Sequence, residues 1–115
     1  NIAHACQTCH RQSEEEMRER VVTIQRRTRE LMDRSEVAII AATRAIAQAK
    51  EAGAPESALE EARALHRRAQ FRWDFVSSEN SMGFHSPQEA ARLLGEAIDF
   101  ARQAEITVLQ ARPGR

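Results

Sequence analysis

Apolar positions recur every three or four residues along most of this chain. From Met17 the series runs through Val21, Ile24, Thr28, Leu31, Ser35, Ala38, Ala42, Ala45 and Ala49, with only Thr28 and Ser35 polar. That is a coiled-coil-like stripe over several heptads. A second row, Met32, Ile39 and Ile46, widens the face to be buried. Ser13, followed three residues on by Glu16 and then Met17, is a capping box that marks a helix start. No Gly or Pro intervenes before Gly53. The pattern predicts one helix from Ser13 to about Ala52, roughly 60 Å long at 1.5 Å per residue. A globule of this size cannot contain such a helix, so it predicts an extended hairpin or a dimer arm. Glu14–Arg18, Glu16–Arg20 and Glu30–Arg34 are acid-first i,i+4 pairs on its solvated face.

Gly53-Ala54-Pro55 closes the first helix and opens the second, with Gly suited to C′ and Pro to N1. The second helix carries Leu59, Ala62, Leu65, Ala69, Trp73 and Val76 on one side, and the short link makes it antiparallel to the first. Trp73 reads as a packing residue. The pattern breaks over residues 77–85, a polar, Gly-containing stretch ending in His85. Ser86 is a good N-cap, Pro87 a good N1 residue and Glu89 completes a second capping box, which places His85 at N′ of a third helix. That helix runs to about Ala111 through Ala90, Leu94, Ala97, Ala101, Ala104 and Val108, and its many alanines predict close helix approach. The expected fold is all-α: a long antiparallel hairpin plus a C-terminal helix.

Composition adds limits. At 115 residues the chain amounts to at most one domain. Four Phe, one Trp and no Tyr leave a core of Ala and aliphatic residues. The formal net charge is zero, which gives no electrostatic case for nucleic acid. Lys50 is the only lysine, so the cations are nearly all fixed-charge arginines. No stretch approaches the roughly 20 apolar residues of a membrane span. The chain opens at Asn1 rather than Met, which reads as a processed chain or a piece of a longer one.

The candidate chemistry lies ahead of the first helix, in Cys6-Gln7-Thr8-Cys9-His10. C-x-x-C-H is the spacing of covalent haem attachment: Cys6 and Cys9 bond the macrocycle and His10 is held beneath the iron as a ligand. Haem supplies redox chemistry that no side chain here provides. Zinc is the competing use of two such thiols. It usually takes four protein ligands, adjacent Cys9 and His10 do not easily face one small ion, and no second ligand pair follows. A redox dithiol would call for a βαβ setting, and no strand pattern exists. Both cysteines fall in the one motif, so there is no disulfide framework, and haem attachment of this kind points to the periplasm.

An electron-transfer haem usually takes a second axial ligand. His66 lies mid-helix beside Arg67 and Arg68 and reads as a surface histidine. His4 is too near Cys6 to reach the far face easily. Met17 and Met32 read as core filler. His85, in a loop between Phe84 and a capped helix start, is the best candidate. On these residues alone, His10 and His85 would pair on one haem.

The chain resembles the C-terminal part of the ammonia-forming cytochrome c nitrite reductases, the periplasmic pentahaem enzymes. The likeness is carried by Ala5-Cys6-Gln7-Thr8-Cys9-His10, the long helix, Gly53-Ala54, the run Phe71-Arg72-Trp73-Asp74-Phe75, and the run from Gly83-Phe84-His85-Ser86-Pro87-Gln88-Glu89 to Gly95. The resemblance implies that Cys6 and Cys9 form the thioethers of the fifth haem, with His10 its proximal ligand. It implies that His85 is the distal ligand of the neighbouring fourth haem, which replaces the His10/His85 pairing. The fifth haem's other ligand would come from upstream. The resemblance also implies that the long helices form a homodimer contact, and that the parent carries further haems and calcium and accepts electrons from a quinol-linked or cytochrome donor. The family's lysine-ligated catalytic haem, its Arg, Tyr and His around the substrate, and its calcium site lie upstream. This chain has one C-x-x-C-H and no Tyr, and Lys50 lies in no C-x-x-C-K motif, so no catalytic residue is expected in it. The expected organisation is a haem-attachment segment (1–12), a helical relay and dimerisation part (13–112) and a tail (113–115). The alternatives are a haem-free helical dimerisation module, or another multihaem electron-transfer cytochrome.

Overall fold

The computed structural model describes residues 13–79 and 83–111. These form three α-helices and no strand: α1 (Glu14–Glu51), α2 (Glu56–Ser78) and α3 (Pro87–Gln110). The bundle is a rod of 64 × 16 × 16 Å, and the 38 residues of α1 span about 57 Å of its length at 1.5 Å per residue. The expected all-α hairpin with a third helix is therefore present. The segment 1–12 and the tail 113–115 fall outside the described residues.

Helix ends follow local chemistry. At the start of α1, Ser13 Oγ accepts the Glu16 backbone N–H at 3.1 Å. At its end, Gly53 sits at φ +84, Ala54 N–H donates to Ala49 O at 2.9 Å, and Gly53 N–H donates to Lys50 O at 3.1 Å. These are the two bonds of a Schellman turn, and the left-handed backbone at C′ suits a residue without Cβ. Pro55 lies one position earlier than expected. It is the N-cap of α2, with ψ of 142°, because Ala54 is consumed by the turn. The second capping box does not form: Ser86 precedes α3 with no side-chain cap bond, and Glu89 binds Arg92 instead (Nε–Oε2 3.0 Å).

The core is one layer thick. α3 packs along both other helices and contributes Ala90, Leu94, Ala97, Ala101, Ala104 and Val108, all of the predicted seam. Ala38, Ala42, Ala45 and Ala49 of α1 and Leu59, Ala62 and Ala69 of α2 meet them. Small residues on facing seams allow the helix axes to approach closely. The two polar interruptions of the α1 seam are buried. Ser35 Oγ lies 2.8 Å from Leu31 O and 3.3 Å from Leu94 O, so its hydroxyl proton stays satisfied against α3. Met17 and Met32 are core residues, while Val21, Ile24 and Leu31 are only half-buried.

Two side chains from the Phe71–Phe75 run hold α2 in place. Trp73 fills space between the helices and donates its indole N–H to Met32 O of α1 at 3.0 Å. Arg72 donates to Glu96 of α3 at 2.7 Å and stacks 4.6 Å above the Phe100 ring. Glu96 also accepts from Arg92 at 2.7 Å. The Arg72 hydrogen bond comes first among the causes that lower the Glu96 pKa, and the Arg92 hydrogen bond does the same for Glu89.

Replacing Ala101, fully buried in the α3 seam, by Leu forces the helices apart. Overpacking of this kind is expected to cost about 1–3 kcal/mol, read as a lower urea midpoint.

Candidate functional site

Cys6, Cys9 and His10 lie outside the described residues, as do His4 and Met82. Among the described residues, no group of three His, Cys, Asp or Glu side chains is placed to hold a metal ion. The described part of the candidate site is therefore built around His85.

The end of α2 and the start of α3 set its position. α2 stops at Ser78, and Glu79, with ψ of 121°, is already extended. Gly83 then folds back at φ +83 against α1. It is buried there, and a Cβ on it would fall 2.3 Å from Thr28 Oγ1. Thr28, the other polar interruption of the seam, is thus the surface on which the loop rests. Glu79 Oε2 accepts the Gly83 backbone N–H at 3.3 Å, which ties the loop to the helix it leaves. Two residues later His85 emerges with its side chain 75 % exposed, at N′ of α3 as expected. Its Nδ1 lies 3.9 Å from Glu79 Oε1, and the Phe84 ring centroid is 6.1 Å from its own.

Beside His85 is a hollow of about 130 Å³ between the last turn of α2 and the first turn of α3. Phe75, Val76, Ala90 and Leu93 give it an apolar floor, and Glu79, His85, Ser86 and Glu89 form the rest of its lining. Phe75 is more than half exposed there, and Phe71, one turn earlier, is 68 % exposed. An imidazole at the edge of an apolar hollow can present a nitrogen lone pair to a metal while a flat apolar group covers the floor.

His66 differs from the expectation. It is half-buried rather than a surface residue, and its Nε2 lies 2.9 Å from Thr43 Oγ1 of α1. The Thr43 hydroxyl already donates to Ile39 O at 3.0 Å, so His66 Nε2 carries the proton and donates. Desolvation, with the nearby Arg67 charge adding to it, lowers the His66 pKa below its ordinary 6.5. His66 is a joint between α1 and α2, and its imidazole is already engaged there. Sequence reasoning also missed Glu79; its signal was an acidic residue directly after the helix, four positions before a glycine.

Comparison with known proteins adds context. The cytochrome c552 family model matches residues 1–113. Cytochrome c-552 of Bacteroides thetaiotaomicron is 40% identical over 107 residues, which cover 93% of this chain and 22% of that protein. Cytochrome c-552 of Desulfotalea psychrophila is 38% identical over 106 residues, covering 92% and 21%. Among solved structures, the catalytic subunit of cytochrome c nitrite reductase from Desulfovibrio desulfuricans, studied for its two calcium sites, superposes with a TM-score of 0.89 at 30% identity. The match covers 95% of this chain and 24% of that one. The chain thus spans less than a quarter of the length of these relatives.

Gly83→Ala combines a left-handed backbone with a clash on Thr28. It is expected to cost about 1–3 kcal/mol in chemical unfolding, and adding Thr28→Ala should recover only the part due to the clash. For His66, the folded pKa lies below the unfolded one, so between the two the unfolded chain binds more protons. The contribution of this histidine is complete above pH 6.5 and is lost as pH falls below it. Unfolding midpoints measured from pH 7.5 to 5 should fall more steeply for wild type than for His66→Gln, whose amide can still donate to Thr43.

Proposed function

Because the chain belongs to the cytochrome c552 family, whose cytochrome c character implies covalent haem c, we propose that it is the C-terminal electron-relay and dimerisation portion of a multihaem cytochrome c nitrite reductase. The parent reaction is the six-electron reduction of nitrite to ammonia. The observation that carries this reading is the match, along nearly the whole chain, to a nitrite reductase catalytic subunit, combined with a C-x-x-C-H motif ahead of the bundle. The small share of that subunit's length supports a partial chain.

In this reading Cys6 and Cys9 hold one haem by thioethers and His10 is its proximal ligand. Haem supplies a reversible one-electron couple that this chain's side chains lack. His85 is the distal ligand of a neighbouring haem of the parent. The donor set suits haem: a thiol pair with an adjoining imidazole, and elsewhere an exposed imidazole beside the Phe75, Val76, Ala90 and Leu93 floor. The bundle's own residues hold the backbone that carries that imidazole, beside an apolar hollow.

The reading extends to the whole protein. The parent contributes the catalytic haem, the residues around nitrite, further haems and calcium, and this chain alone performs no nitrite reduction. Two copies meet through the long helices, for which the exposed Val22, Val37 and Ile40 of α1 supply apolar surface. Electrons come from a quinol-linked or cytochrome donor, and the site of action is the periplasm. None of the described helices is long and apolar enough to cross a membrane. The segment 1–12 attaches haem, 13–112 relays and dimerises, and 113–115 is a tail.

The exposed apolar residues of α1 also suit a haem-free dimerisation module, and one experiment separates the two readings. Chain matured with the cytochrome c machinery should show about one c-type haem by pyridine haemochrome spectrum, the stoichiometry of a single C-x-x-C-H. Haem-free material that sediments as a folded dimer would favour the scaffold instead.

A further inference from the structure

Glu79 is placed to do more than end a helix. Its two carboxylate oxygens have different partners. Oε2 accepts the Gly83 N–H at 3.3 Å, and Oε1 faces His85 Nδ1 at 3.9 Å. The first contact closes the loop onto the end of α2. The second lies about an ångström beyond the length of a charge-assisted hydrogen bond, so a direct bond requires the exposed His85 ring to turn toward Glu79. Gly83 lies against Thr28 and its N–H is held by Glu79, which keeps the start of this segment beside Glu79.

We propose that Glu79 is a positioning residue for His85: it accepts the Nδ1–H, fixes that tautomer, and so makes Nε2 the nitrogen that donates a lone pair to iron. The proposal rests on the reading of His85 as a haem ligand and adds to it a partner outside the ligand itself. A carboxylate on the far nitrogen orients a ligating imidazole and makes it a stronger donor. A stronger donor favours ferric iron and lowers the reduction potential of the haem it ligates. Glu79 touches neither haem nor substrate, and acts only through His85.

Glu79→Gln isolates the effect. A carboxylate has two acceptor oxygens and an amide has one. Gln can keep the Gly83 bond and the loop through its oxygen, and the atom that then faces Nδ1 is an amide nitrogen, which donates instead of accepting. In the 115-residue chain, imidazole nitrogen shifts measured by NMR should report the Nδ1–H tautomer for His85, and Glu79→Gln should move it toward Nε2–H. A wild-type ring in the Nε2–H form, or a ring unmoved by the substitution, would overturn the proposal without any need for haem maturation. In the haem-loaded parent, Glu79→Gln should leave every haem low-spin that is low-spin in wild type. It should raise one midpoint potential, by about tenfold in the reduction equilibrium, or 59 mV for one electron.

His85→Ala in the same parent tests the underlying reading separately. If one low-spin haem becomes high-spin in His85→Ala while Glu79→Gln shifts no potential, ligation stands and the role of Glu79 falls. If His85→Ala alters no haem spectrum, ligation by His85 falls, and the tautomer measurement still decides the Glu79–His85 contact.

Discussion

Close approach of three helices along seams of small side chains is the constraint on which the structure depends. The rod is only 16 Å across, so there is no interior beyond the line where the helices touch. Each helix must bury its stripe against both neighbours at once. α3 does this with alanines at four of its six fully shielded positions, and α1 answers with Ala38, Ala42, Ala45 and Ala49. Bulk is supplied at intervals by Met32, Leu94 and Val108. In so thin a core the stabilisation per residue comes from dense contact rather than from large buried side chains.

That spacing makes the polar ties possible. The Trp73 indole reaches Met32 O, Arg72 reaches Glu96, and His66 reaches Thr43 because the backbones lie near enough for single side chains to bridge them. The same spacing explains the two polar residues in an otherwise apolar stripe. Ser35 permits α3 to lie against α1, and Thr28 meets the backbone of Gly83. Both occur where another part of the chain lies against α1.

At one end of the rod these ties hold His85. Its loop is gripped by α1 through Thr28, by α2 through Glu79, and by α3 through the helix that begins immediately after it. A side chain so exposed is usually placed by its own rotamer preferences alone. Here its backbone is anchored on three sides and its ring faces a carboxylate. Such a loop on a rigid scaffold suits a ligand that must meet a group supplied from outside the bundle.

The helices, their order and their buried faces were legible in the sequence, because a 3.6-residue period, a Ser13 cap and a Gly53 turn are local properties of the chain. All six seam positions of α3 were legible for the same reason. C-x-x-C-H stood out by its spacing, and His85 by its place just before a helix start, which is where the structure puts it. Local rules failed where a distant partner intervened. Pro55 gave up N1 to a turn that used one residue more, Glu89 preferred Arg92 to a cap, and His66 was drawn inward to Thr43. Glu79 carried only a weak local signal, because its contacts with Gly83 and His85 are tertiary. Periodicity and capping are short-range, so the sequence by itself determined the elements and carried the C-x-x-C-H motif. Which polar groups meet across helices depends on how the elements stack, and only the tertiary structure decided that.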